Sequence, residues 1–248
     1  MLRASVARGP DVLSVYCAAG QAEPITAIAE RYRQQFGVDV RLQFGGTGTL
    51  ISQISVARRG DLLIAADRQS MRQMEERELV TEVVDFARHY PVVALRTSDT
   101  TVIRTLQDLS GGKLRVAIGN PEATSIGKAT RTALGDRWDT FRKSVTTMKP
   151  TVTEIAMDVR LGAVDAAVVW NSTVPQFEGL RGVRLPELDP HGEMVSAGIL
   201  AGAERPVEAG RFARYLTASQ ANRQLLAQFD LQVISGEGPS DPKQNPSR

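Results

Sequence analysis

Phe44-Gly45-Gly46-Thr47-Gly48-Thr49-Leu50 is the stretch on which the reading of this chain turns. Before it, Val38-Asp39-Val40-Arg41-Leu42-Gln43-Phe44 is strand-like; after it, Leu50-Ile51-Ser52-Gln53-Ile54-Ser55-Val56-Ala57-Arg58 is helix-like. A strand that turns through glycines into a helix leaves backbone N–H groups that no intrahelical carbonyl can accept. The glycines let a ligand approach the backbone, and the Thr47 and Thr49 hydroxyls can donate to an oxyanion or cap the helix. The turn lacks the Gly-Lys-Ser/Thr ending of a nucleotide P-loop. Taken alone, it reads equally well as an ordinary capped loop.

Working outward, the same strand–turn–helix unit recurs. Val12 to Ala19 reads as a buried strand, Gly20 to Pro24 as its turn, and Ile25, Ile28, Ala29, Tyr32 and Phe36 as one helical face that Gly37 ends. Asp61 to Ala66 is a third strand, with Asp67 at its end and a helix over about Ser70 to Arg77 that places Met71 and Met74 on one side. Tyr90 to Arg96 is a strand and the candidate crossing to a second lobe. There Leu114 to Ile118 empties into a turn carrying Asn120, Pro121, Thr124 and Ser125, and a helix runs from Lys128 to Leu134. Thr151 and Glu154 have the capping-box spacing at the start of the next helix. Ala163 to Trp170 reads as a helix tail and strand, Met194 to Leu200 as a strand returning to the first lobe, and Pro206 to Leu216 and Ser219 to Phe229 as helices. Repeats of this kind predict parallel strands covered on both faces, with ligands bound beyond the carboxyl ends of the strands.

Composition narrows the function classes. The 248 residues, 42% hydrophobic and 23% charged, are enough for one large α/β unit or two modest lobes. A formal charge of +2 with interspersed signs argues against a nucleic-acid groove. The single cysteine, Cys17, excludes an internal disulfide and is expected to be buried and inert. His89 and His191 are too few for a histidine metal centre and are expected at the surface. No apolar run is long enough for membrane insertion, and the N-terminal segment does not read as a secretory signal. No catalytic pattern follows a strand, and Asp67, Glu154 and Asp165 all have ordinary structural readings. No enzyme activity and no cofactor are therefore expected.

What the chain offers instead is neutral donors. Gly20-Gln21, Gly46-Thr47-Gly48, Ser125-Ile126-Gly127 and Thr151-Val152 would converge if two lobes faced each other, and Trp170-Asn171-Ser172 ends a further strand. The candidate ligand-binding residues are Gly20, Gln21, Gly46, Thr47, Gly48, Ser125, Ile126, Val152, Trp170 and Asn171. Donors without acceptors favour a fully deprotonated oxyanion, since each proton on the ligand would face another donor.

These same turns carry a family resemblance. Val15 to Ala19, Phe44 to Leu50, Asp61 to Asp67, Asn120-Pro121-Glu122 before Gly127, and Val168-Val169-Trp170 together resemble the molybdate/tungstate-binding periplasmic proteins of ABC importers. The resemblance spans roughly residues 12 to 234. It implies the two-lobed type II periplasmic-binding-protein fold, an α/β architecture in which each lobe is a mostly parallel sheet flanked by helices. By that likeness the family's first ligand serine falls at Gly20, its second at Thr47, its second-lobe backbone donors at Ile126 and Val152, and its tyrosine hydroxyl at Trp170. Gly20 and Trp170 depart from the pattern: a glycine has no hydroxyl, and an indole N–H has a different reach from a phenol. Gln21, Asn171 or Ser172 are the candidate replacements.

The expected organisation is lobe 1 from residues 11–88 plus 194–235, lobe 2 from 89–193, and a disordered tail over 236–248. The expected function is capture of a small tetrahedral oxyanion, molybdate or tungstate, for an ABC transporter permease. A monomer in the periplasm, or anchored outside the cytoplasmic membrane, is implied by the resemblance. A sensor or transport protein on the same fold taking a different oxyanion or small organic ligand is the alternative, with a cytoplasmic location open; an enzyme acting on small acids is a third reading.

Overall fold

The structure is a computed structural model and describes residues 12–234; the tail expected over 236–248 lies outside them. The chain begins with β1 (Val12–Ala18), α1 (Ala22–Phe36), β2 (Asp39–Gly45), α2 (Thr47–Ala57), β3 (Leu62–Ala65), α3 (Arg68–Glu76) and β4 (Val80–His89). It continues with β5 (Pro91–Arg96), β6 (Val116–Gly119), α4 (Ser125–Leu134), α5 (Trp138–Ser144), β7 (Thr147–Lys149), α6 (Val152–Arg160), β8 (Ala166–Trp170) and β9 (Leu180–Val183). β10 (Glu193–Leu200), α7 (Pro206–Ala218), α8 (Gln220–Gln228) and β11 (Gln232–Val233) complete it.

The strands form two sheets, ordered β11-β4-β10-β3-β1-β2 and β7-β6-β8-β5-β9. The expected parallel pairing holds where strand–turn–helix units follow one another: β1 with β2 and β3, and β6 with β7 and β8. Elsewhere the sheets are antiparallel, through β10 on β3 and β4, β11 on β4, and β5 on β8 and β9. The sheets are therefore mixed, because the strands that enter and leave the crossing arrive without the helical crossover that parallel neighbours need. The ten-residue β4 is not evident in the sequence, since its apolar positions do not alternate regularly; the ladder it makes with β10 contains register shifts.

Strand β3 shows how the first sheet is held. Leu62 and Ile64 pack on one face with α1, α7 and α8, while Leu63 and Ala65 pack on the other with α2 and α3. All four are fully buried, as period-2 alternation between two covered faces requires. Cys17 is buried in the first of these layers, and burial pushes its thiol pKa far up, so it is inert as expected. The second sheet has one core, built on Val93, Ile118, Phe141, Ile155 and Val168.

Two helices start earlier than their composition suggests. α2 begins at Thr47 rather than Leu50, and α4 at Ser125 rather than Lys128. Thr, Ser and Gly weaken helix interiors but suit a first turn, where N–H groups lack intrahelical partners. Thr124 caps α4, its Oγ1 accepting from Gly127 N–H at 3.0 Å, and Thr151 caps α6 by accepting from Glu154 N–H at 3.2 Å. Thr151 also donates to the Glu154 carboxylate at 3.0 Å, and Asp67 caps α3 by accepting from Ser70 N–H at 2.7 Å.

Candidate functional site

The carboxyl ends of the parallel strands from both sheets face one small cavity. On one side lie Ala18, Ala19 and Gly20 after β1, Gly45 to Thr47 at the start of α2, and Ala66 after β3. On the other lie Thr124 to Ile126 at the start of α4, Val152 at the start of α6, and Trp170 at the end of β8. The space is tight: the centre of a water-sized sphere can range over about 10 Å³. None of these residues carries an ionisable side chain.

The two halves meet here through backbone. Gly48 N–H donates to Ala123 C=O at 3.0 Å. A Cβ at Gly46 would stand 2.4 Å from the carbonyl oxygens of both Ala123 and Pro150, and one at Gly48 would stand 2.6 Å from Glu122 C=O. Only glycine permits this approach. A side chain at either position would hold the start of α2 away from the loops before α4 and α6.

Hydroxyl protons are the cavity's polar resource. Thr47 Oγ1 accepts from Ala66 N–H at 3.4 Å, and Ser125 Oγ accepts from the Trp170 indole N–H at 3.2 Å. Both side chains are almost completely buried. With an oxygen lone pair of each hydroxyl engaged by a protein N–H, its single proton is left to donate. The first N–H groups of α2, α4 and α6 add donors and the positive ends of three helix dipoles. Thr124 contributes no free donor, because its hydroxyl already donates to Asn120 C=O at 3.0 Å.

Of the ten residues singled out from sequence, seven line the cavity: Gly20, Gly46, Thr47, Ser125, Ile126, Val152 and Trp170. Gly48 is spent on the contact between the halves. Gln21 is fully buried but turned away, its amide donating to Ser172 Oγ and approaching His89 Nδ1, each at 3.4 Å. Asn171 clips the crossing instead: it accepts from Tyr90 N–H at 2.7 Å and donates to Asp230 C=O at 2.8 Å. The Trp170 N–H is committed to Ser125, so this indole orients a hydroxyl and does not stand in for one.

His89 corrects the expectation of a surface residue. It is fully buried at the end of β4, with its ring stacked on Trp170 at 3.8 Å between centroids and 13° between planes. Nε2 lies 3.0 Å from Ala66 C=O and Nδ1 3.2 Å from Ser172 Oγ. A carbonyl can only accept, so the proton sits on Nε2, and Nδ1 accepts from Ser172 and Gln21. Burial lowers the pKa of His89 to about 3, against the opposing effect of the Ala66 carbonyl. Nothing in local composition marks a lone histidine as the backing of a tryptophan; only the pairing of distant segments reveals it.

A histidine neutral in the fold and protonated in the unfolded chain below its ordinary pKa of 6.5 destabilises the fold as pH falls. Its contribution is complete above about pH 6.5 and declines toward pH 3, at up to about 1.4 kcal/mol per pH unit. Between about pH 7 and about pH 5, wild type should lose about 2 kcal/mol more unfolding free energy than His89→Gln. Urea unfolding at both pH values checks this; equal losses would place a charged His89 in the fold.

The arrangement has relatives. The family model for bacterial extracellular solute-binding proteins matches residues 13–229. The molybdate-binding protein ModA of Mycobacterium tuberculosis is 25% identical over 227 residues, covering 89% of this chain and 84% of that one. Among solved structures, the periplasmic molybdate-binding protein of Azotobacter vinelandii superposes with a TM-score of 0.74 at 17% identity, covering 90% of this chain and 99% of the other. Iron-bound HitA of Pseudomonas aeruginosa superposes with a TM-score of 0.71 at 19% identity, covering 96% and 90%. These two structural likenesses are likenesses of fold. Because the family match runs from β1 to just past α8, taking in every segment that lines the cavity and both sheets except β11, the chain belongs to the bacterial extracellular solute-binding protein family.

Proposed function

We propose that this protein captures a small tetrahedral oxyanion, molybdate or tungstate first, in the cavity between its two sheets and hands it to the permease of an ABC importer. The observation that carries the reading is the pair of buried hydroxyls, Thr47 and Ser125, each accepting from a protein N–H and each with its proton left for a ligand. An acceptor-only anion matches such a site; a bare cation does not, since among the described residues no carboxylate or phenolate lines the cavity. The similarity to ModA supports molybdate, and the cavity's small size supports a compact ion over a sugar or peptide. On this reading the lobes are residues 11–88 with 194–235 and residues 89–193, and the protein works as a monomer in the periplasm or anchored outside the cytoplasmic membrane.

A different oxyanion is the second reading, and Gly20 and Trp170 favour it. Gly20 supplies no hydroxyl and the Trp170 N–H is already used, so the donor set differs from one built on two further hydroxyls. Phosphate, which keeps a proton near neutral pH, fits poorly beside donors alone.

Calorimetric titration with molybdate, tungstate, sulfate and phosphate tests both readings. Saturable heat with molybdate or tungstate, and none with phosphate, is expected; saturation by sulfate alone would select the second reading, and no heat with any of the four would overturn the oxyanion assignment. Gly46→Ala should retain its far-ultraviolet circular dichroism yet bind the same anion more weakly, because the new methyl group meets two carbonyl oxygens at the contact between the halves. Unchanged affinity in this variant would show that ligand binding does not depend on that contact.

A further inference from the structure

Thr173 lies in the short helical turn Asn171–Gln176 that follows β8. It is fully buried, and its Oγ1 has no hydrogen-bond partner among the described residues. A buried hydroxyl left unmatched is destabilising, and in native proteins such a group calls for an explanation. Its position supplies one. A Cβ built on Gly20 would stand 3.0 Å from Val152 Cγ1, 3.3 Å from Thr173 Oγ1 and 3.8 Å from Trp170 Cδ1. Gly20, Val152 and Trp170 all line the cavity, so the Thr173 hydroxyl lies at the cavity wall, close enough to crowd any side chain at position 20.

The turn that carries Thr173 is fixed against this wall. Gln176 Nε2 donates to Gly20 C=O at 2.7 Å and to Ser172 C=O at 2.8 Å, tying the start of α1 to the turn. The neighbouring Ser172 hydroxyl is occupied by His89 and Gln21, so among the two adjacent hydroxyls only that of Thr173 is uncommitted. Its proton has no acceptor among the described residues, which is the condition already found at Thr47 and Ser125.

We infer that Thr173 is a third hydroxyl donor to the bound anion, reaching it past Gly20, where a side chain would crowd the hydroxyl. The inference rests on the oxyanion reading and deepens it: the missing hydroxyl at position 20 is made up from the opposite half of the molecule. One donor from the first sheet's side, Thr47, then faces two from the second, Ser125 and Thr173. A hydrogen bond to a charged oxygen is stronger than one between neutral groups, so its loss should be readily measured.

Thr173→Val keeps the shape of the side chain and removes the hydroxyl. With the anion that saturates wild type, it should bind about tenfold or more weakly, while Thr173→Ser should stay near wild type. The melting temperature of the ligand-free Thr173→Val protein should be unchanged or higher, because the variant no longer buries an unmatched hydroxyl; a purely structural role would lower it. Wild-type affinity in Thr173→Val would overturn the Thr173 assignment and leave the oxyanion reading standing. A lower ligand-free melting temperature together with equal weakening in Thr173→Ser would also overturn it, as packing would then be the cause. Absence of saturable heat in wild type with all four anions would overturn the oxyanion reading and this inference with it.

Discussion

Close approach of backbone to backbone, at Gly46 and Gly48 against Ala123 and Pro150, is the constraint on which the site depends. Several helix starts can serve one ligand only where they point at a shared centre, and side chains ordinarily keep such starts apart. Two glycines in one turn remove that spacing. The first turn of α2 thereby comes against the loops that open α4 and α6, and a small cavity is left between them.

Around this contact the polar groups divide into those that are spent and those that are free. Ala66 N–H and the Trp170 indole are spent on holding hydroxyl oxygens, and the resulting orientation makes Thr47 and Ser125 donors. Behind Trp170, a neutral His89 braces the ring and ties it to Ala66, Gln21 and Ser172. A charged histidine would add positive potential near an anion. Burial keeps it neutral, so the cavity's polarity comes from hydroxyls and backbone dipoles and not from a charged ring.

Much of this was legible in the sequence, for definite reasons. Glycine and threonine after a strand announce a helix start, and the turns at Gly46, Ser125 and Val152 sit where strand–turn–helix order puts them. What sequence could not supply was the direction of a side chain after two segments far apart in the chain come together. Gln21 and Asn171 have the right chemistry, yet both turn to structural partners. His89 and Thr173 lacked any local mark, because their meaning arises only from what lies across the gap. The antiparallel halves of the sheets were hidden for a related reason: β4 has an irregular apolar pattern, and its partner β10 lies more than a hundred residues away.

The two sheets are joined by paired passages. β4 runs through Tyr90 directly into β5, and the return beside it brings Gly192 against the Tyr90 ring, which Arg88 and Arg184 each approach to 5.5 Å. Two adjacent straps of chain resist twisting and sliding far more than they resist folding along their common line, as with a book's spine. Motion between the halves would therefore be a swing about that line. Because the donors sit on opposite pages, a ligand entering the open book would meet only one set, and all its contacts would be made only when the covers come together.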